Sequence, residues 1–245
     1  YVEVEEPDMH NPSGDLERLI NALETQWNLE NLQADFNIIP QMQQILRKGN
    51  WTVTCAVHHA DTGIDPQIVH LWPGLYEGTI YGMAVDLGST TIAAHLCDLR
   101  TGDVVASSGQ MNPQIRFGED LMSRVSYAMM NPGGDKEMTR AVREGMDALF
   151  TQISADAEID KTLIMDAVFV CNPVMHHLFL GIDPFELGQA PFALATSNAL
   201  RMFANQLEIN IHPSARAYIL PCIAGHVGAD AAAVAPVSYT HLRAH

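Results

Sequence analysis

The chain has 245 residues, 47% of them hydrophobic, and its 29 acidic and 13 basic side chains give a net charge of −16. That is enough apolar material for one large or two ordinary packed domains, which excludes global disorder. So few cations argue against nonspecific nucleic-acid binding and against docking on an anionic membrane, both of which depend on Lys and Arg.

No run of about 18 apolar residues offers a membrane span, and Tyr1–Glu6 does not read as a signal peptide. The chain starts without Met, so a fragment is expected. Cys55, Cys97, Cys171 and Cys222 are far apart, form no C-x-x-C pair and sit in apolar stretches. They are expected to be buried free thiols in a reducing cytosol, and not ligands of zinc or an iron–sulfur cluster.

Residues 1–78 predict a small α+β domain. Val2 and Val4 alternate with acids, as in an edge strand. A turn at Pro12–Asp15 can cap a helix that carries Leu16, Leu19, Ile20 and Leu23 on one face. Pro40 suits the first turn of a second helix with Met42, Ile45 and Leu46 inward and Gly49 as its stop. Trp51–Val57 and Gln67–Leu71 predict two strands paired through an Asp61-Thr62-Gly63 turn. Trp72-Pro73-Gly74 breaks the pattern and sets a boundary near residue 78.

Three strands are predicted next, at Ile80–Asp86, Ile92–Leu99 and Val104–Gln110, the last two joined by Thr101-Gly102-Asp103. Gly118–Met130 predicts a helix on which Asp120 and Arg124, at i and i+4, make an exposed pair. A longer helix follows from Asp135 to about Ala155, then a strand at Met165–Cys171 and a short helix from Pro173 to Leu180 that stops at Gly181. Tyr218–Ile223 predicts a further strand, and Gly225–Asp230 opens a helix through Ala233. Met129, Met130, Met138, Met146 and Met165 are expected in the core. His58-His59 and His176-His177 have no partner at ligand spacing and are expected at the surface or satisfied internally.

The order β-β-β-α-β-α-β-α predicts an α/β fold, a mixed sheet with helices on its faces in the layout of a ribonuclease-H-like half domain. The most informative segment is Tyr81-Gly82-Met83-Ala84-Val85-Asp86-Leu87-Gly88-Ser89-Thr90-Thr91. An apolar strand runs into an acidic, hydroxyl-rich bend. Gly88 permits close backbone approach and φ > 0. Ser89, Thr90 and Thr91 offer hydroxyl and N–H groups to phosphate oxygens. Asp86 can hold a hydrated Mg²⁺. The alternative is a plain β-hairpin turn. Asp230 and Gly228 occupy a second acidic, glycine-rich bend at a strand end, where ligands gather in open α/β sheets. Asp230 fits a helix N-cap, Asn172 a phosphate contact or a turn cap, and Gln114 and Arg116 a turn, a surface, or contact with an interface or the nucleotide.

This layout resembles the superfamily of acetate and sugar kinases, DnaK-type chaperones and actin. Asn112-Pro113-Gln114, Phe117–Arg124, Gly181-Ile182-Asp183-Pro184, Ala190-Pro191-Phe192 and Leu220–Asp230, together with the Tyr81–Thr91 string, resemble the reductive activators of corrinoid-dependent enzymes over about residues 79–235. The resemblance implies that residues 79–236 are the first lobe of a two-lobed ATPase domain and residues 1–78 the small middle domain that precedes it. It implies Mg–ATP as cofactor, with Asp86 on Mg²⁺ through water. Gly88, Ser89, Thr90, Thr91, Asn172 and Gly228 would line the phosphates, and Asp230 would act on the attacking nucleophile. A [2Fe–2S] cluster is implied only for an N-terminal ferredoxin domain outside this chain. Family members use ATP to return a Co(II) corrinoid to Co(I), so a corrinoid protein or methyltransferase partner and a homodimer are implied. A small-molecule kinase with Asp230 as base, or a non-catalytic binding domain, stays open. Residues 237–245 have no helical face and are expected to be foreign to the fold.

Overall fold

The computed structural model describes residues 1–58 and 65–224. The chain forms two compact units, Tyr1–Gly78 and Thr79–His245.

In the first unit, β1 (Val2–Glu3), β3 (Thr52–His58), β4 (Gln67–Pro73) and β2 (Gln33–Ala34) form a four-stranded sheet in that spatial order. Two helices, α1 (Asp15–Trp27) and α2 (Ile39–Lys48), complete it. Leu19, Leu23, Met42 and Leu46 pack with Val2, Val53, Ile68 and Leu71, so both helical stripes read from the sequence face the sheet. The Arg47 guanidinium joins the two helices through Asp15 at 2.9 Å. Gly49 ends α2, but not with the left-handed conformation usual at such a stop: its φ is −82°. A Cβ there would lie 2.1 Å from the Thr52 carbonyl oxygen and 2.8 Å from the Gly74 nitrogen, so glycine is required by close packing of main chain. β4 continues through Pro73, beyond the expected break. The expected turn at Asp61-Thr62-Gly63 and His59 lie outside the described residues.

The second unit is a six-stranded mixed sheet with the spatial order β7-β6-β5-β8-β10-β9. The strands are β5 (Tyr81–Leu87), β6 (Thr91–Asp98), β7 (Val104–Met111), β8 (Ile164–Cys171), β9 (Leu200–Phe203) and β10 (Arg216–Ile219). β5, β8 and β10 run parallel; β6, β7 and β9 are antiparallel to their neighbours. The helices are α3 (Leu121–Met130), α4 (Gly134–Asp156) and α5 (Pro173–Leu180). Period-two alternation puts Met83, Val85 and Leu87 of β5 and Ala167, Phe169 and Cys171 of β8 into one core with Met146, Phe150 and Ile153 of α4 and Met175, Leu178 and Phe179 of α5. Asp86 alternates with these residues and therefore lies on the other face of the sheet, where it is exposed.

Several expectations for this unit are corrected. The helix expected over 118–130 is α3, which starts only at Leu121, after a 3₁₀ turn over Pro113–Phe117, and which Asp120 caps by accepting from the Ser123 N–H at 2.7 Å. That backbone donor holds the Asp120 carboxyl below its ordinary range. Met129 and Met130 are exposed, because the buried stripe of α3 runs through Arg124 and Val125 instead. The strand expected at 218–223 is the shorter β10, and β9 beside it was not expected. Cys171 and Cys222 are buried, Cys55 and Cys97 only partly so, and all four thiols are free.

The two histidines of α5 differ. His177 is satisfied: its Nδ1 lies 2.9 Å from the Pro173 carbonyl and its Nε2 accepts from the Ala195 N–H. His176 is fully buried and neither ring nitrogen has a hydrogen-bond partner among the described residues. Burial, with His177 beside it, pushes its pKa down to about 4. The native state therefore binds no proton where the unfolded chain does. This contribution is intact above the ordinary histidine value of about 6.5 and is lost as pH falls toward 4, with a slope approaching about 1.4 kcal/mol per pH unit. Denaturant titrations across that window are expected to show the slope in the native sequence and a shallower one in His176→Leu, where buried His177, its pKa also lowered by burial, still contributes, with no loss of stability at neutral pH because the unsatisfied polar atoms are gone. An unchanged slope in the variant would assign the acid sensitivity elsewhere.

Candidate functional site

Because β5, β8 and β10 are parallel, their carboxyl ends share one rim: Leu87 is in register with Cys171, and Phe169 with Ile219. β7 also ends there, since Met111 pairs with Thr91 at the start of β6. Four segments meet at this rim. They are the Gly88–Thr90 bend after β5, Asn112 after β7, Asn172 after β8 and Leu220–Ala224 after β10.

The bend is held from one side. Asn112 donates its side-chain amide to the Gly88 carbonyl at 2.8 Å and its backbone N–H to the Thr90 carbonyl at 2.8 Å. Arg124 Nη2 donates to the carbonyl between them, that of Ser89. Three successive carbonyls are thus tied back. In a trans peptide the carbonyl and the next N–H point in opposite directions. The Ser89 and Thr90 N–H groups therefore face away from Asn112 and Arg124, and no acceptor among the described residues takes either of them. Successive free N–H groups on a bend are an anion-binding concavity. Thr90 and Thr91 are exposed, and Gly88 and Ser89 half-buried.

Gly88 is needed here for proximity. Its backbone is not in the left-handed region that glycine also permits. A Cβ on it would lie 2.5 Å from the Thr91 carbonyl oxygen, so any side chain opens the bend.

The clamp is itself buried. Asn112, Gln114 and Arg124 are essentially inaccessible. Gln114 donates to the Met138 carbonyl at 2.9 Å and its backbone N–H to Asn112 Oδ1 at 2.9 Å, so it is neither a surface nor a ligand-contact residue. Arg116 lies over the Phe117 ring. Arg124 also donates to the Gly118 carbonyl at 2.9 Å and lies 3.3 Å from the Met175 sulfur. The exposed pair expected between Asp120 and Arg124 is absent: Asp120 caps α3, while the guanidinium turns inward and has no carboxylate within ion-pair distance among the described residues. Desolvation pulls the Arg124 pKa down, but a guanidinium stays charged. Helical spacing alone suggested a solvent-exposed pair. A signal for the true role lay in the apolar Met-Ser-Arg-Val-Ser context, where a lone Arg on the inward stripe needs carbonyl acceptors.

Asn172 caps α5, its Oδ1 accepting from the Met175 N–H at 3.0 Å. Asp86 stands next to last in β5, beside the bend. Asp230 and Gly228, the helix expected through Ala233 and the segment 237–245 lie outside the described residues. Among the described residues no three His, Cys, Asp or Glu side chains cluster as metal ligands would. None of the described helices is long and apolar enough to cross a membrane.

A family model described as the RACo middle region matches residues 81–243, and one described as the RACo linker region matches residues 1–78. A corrinoid activation enzyme, RamQ of Eubacterium limosum, is 34% identical over 158 residues, which are 64% of this chain and 27% of that protein. The solved structure of a reductive activator for a corrinoid, iron–sulfur protein superposes with a TM-score of 0.84 at 32% identity, covering 94% of this chain and 36% of that one. The chain thus spans about a quarter to a third of these relatives. The mixed α/β fold, read from the sequence as a half domain of the kinase, chaperone and actin superfamily, agrees with that superposition. The chain belongs to the RACo family, of which it carries the linker and middle regions.

Proposed function

We propose that this chain is part of an ATP-dependent reductive activator that returns a Co(II) corrinoid protein to Co(I), and that the Gly88–Thr91 bend holds the phosphates of Mg–ATP. The observation that carries the reading is the pair of free N–H groups at Ser89 and Thr90, fixed by three tied carbonyls at a strand-end rim. Such preorganised dipoles stabilise phosphoryl charge without rearranging during reaction. Asp86, a carboxylate beside the bend, suits a hydrated Mg²⁺. Asn172 and Gly228 are assigned to the nucleotide wall and Asp230 to orienting the attacking water.

In the reaction proposed, ATP hydrolysis drives one electron from an iron–sulfur cluster to cobalt. The cluster belongs to a part of the protein other than this chain. Residues 79–236 serve as the first ATPase lobe. The corrinoid partner, the homodimer and a cytoplasmic setting follow from the family resemblance.

The test uses the whole gene product with reductant, ATP and a Co(II) corrinoid protein, following the corrinoid absorbance. ATP-dependent formation of Co(I) is expected, falling by about 10²-fold or more in Asp86→Ala, as for loss of a group that stabilises developing charge. Co(I) formation that ignores ATP, or an Asp86→Ala protein with full activity, contradicts the proposal.

A further inference from the structure

We propose that Arg124 is a positioning residue for the polyphosphate of the nucleotide, acting through the Ser89 carbonyl without touching the ligand. The inference rests on the phosphate reading of the bend and names a residue outside it.

Arg124 is the largest fully buried side chain among the described residues. A structural arginine at such a depth is ordinarily paired with a carboxylate, since an uncompensated buried charge is costly. Arg124 instead spends its donors on the main chain: the Ser89 carbonyl in the bend and the Gly118 carbonyl before α3, with the Gln114 side chain at 3.5 Å and the Met175 sulfur filling the remaining space. Two consequences follow. The fork links α3 to a bend 35 residues earlier in sequence, fixing the peptide plane that aims the Thr90 N–H outward. A permanent positive charge also stands directly behind that peptide, in a chain whose net charge is −16. Among the described residues no carboxylate lies within ion-pair distance of the guanidinium, and Asp120 acts on it only through space, so an anion on the exposed side of the bend adds favourable counter-charge. Mg-bound tri- or diphosphate fits this arrangement: the bend offers N–H groups in sequence, and the field behind them is cationic.

Lysine cannot replace this group. It keeps the charge but has no planar fork with which to reach both carbonyls. Titration of Mg–tripolyphosphate into the ¹⁵N-labelled 245-residue chain, following the Ser89 and Thr90 amide resonances, tests the proposal. The native sequence is expected to show saturable shifts. Arg124→Met should raise the dissociation constant by about tenfold or more, and Arg124→Lys by roughly three- to fivefold. Leu149→Ala, a core change in α4 away from the bend, should be destabilised yet bind as the native chain does. Should Arg124→Met fail to fold, Arg124→Lys carries the test. Native-like affinity in whichever Arg124 variant folds, while the native chain binds, overturns the role of Arg124. Amides that fail to respond in the native chain overturn the phosphate reading itself, and the inference with it.

Discussion

Replacing Phe169 by alanine is expected to destabilise the second unit by about 3–5 kcal/mol. Phe169 is fully buried in the central strand β8, stacked on Phe150 at 6.3 Å between ring centres and tilted against Phe179 at 5.0 Å. Its removal strips contacts from α4 and α5 together, and the sheet cannot close over the space because β8 is hydrogen-bonded to β5 and β10 on both sides. With total stabilities of about 5–15 kcal/mol for domains of this kind, the variant sits near the edge of folding. Urea denaturation followed by circular dichroism measures it. A loss below about 1 kcal/mol would mean that the rings are not packed as described.

The second large effect is expected at Gly88. Gly88→Val places a branched side chain where even a Cβ meets the Thr91 carbonyl oxygen at 2.5 Å. The bend must open, and the carbonyls of Gly88, Ser89 and Thr90 cannot all keep their ties to Asn112 and Arg124. Affinity for Mg–polyphosphate should fall by about tenfold or more, while stability drops by about 1–3 kcal/mol from the overpacking. Ser89→Ala makes the informative contrast. It keeps the N–H and removes only the hydroxyl, so its affinity should fall by no more than about threefold. Equal losses in the two variants would place the binding energy in the hydroxyl and not in the main chain.

These effects show which parts of the molecule are legible in the chain. β5 could be read from Met83, Val85 and Leu87, whose alternation needs no tertiary partner to be recognised. α5 could be read from Asn172, Pro173 and Gly181, since a cap, an N-terminal proline and a left-handed stop are local devices; Gly181 has φ 79°. β9 could not. It has four residues at a sheet edge, where Arg216 lies over Phe203 and Arg201 over Tyr218 across the β9–β10 pair. Those contacts exist only once the strands are paired. The two-residue β2 is hidden for the same reason. Within the candidate site, the bend announced itself by composition, but its clamp did not. Asn112 and Arg124 act on Gly88 and Ser89 from 24 and 35 residues away, and the i, i+4 spacing of Asp120 and Arg124 describes an isolated helix in water. Packing turned one partner inward. His176 shows the same limit, since nothing local distinguishes it from His177.

Phosphate binding at this bend depends on the outward-facing N–H groups of Ser89 and Thr90. A crystal structure of the whole gene product with Mg²⁺ and a non-hydrolysable ATP analogue measures this most directly. The predicted result is terminal phosphate oxygens within hydrogen-bond distance of both N–H groups, with Asp86 reaching the Mg²⁺ through water. A nucleotide bound with its phosphates away from the β5–β6 bend would contradict it.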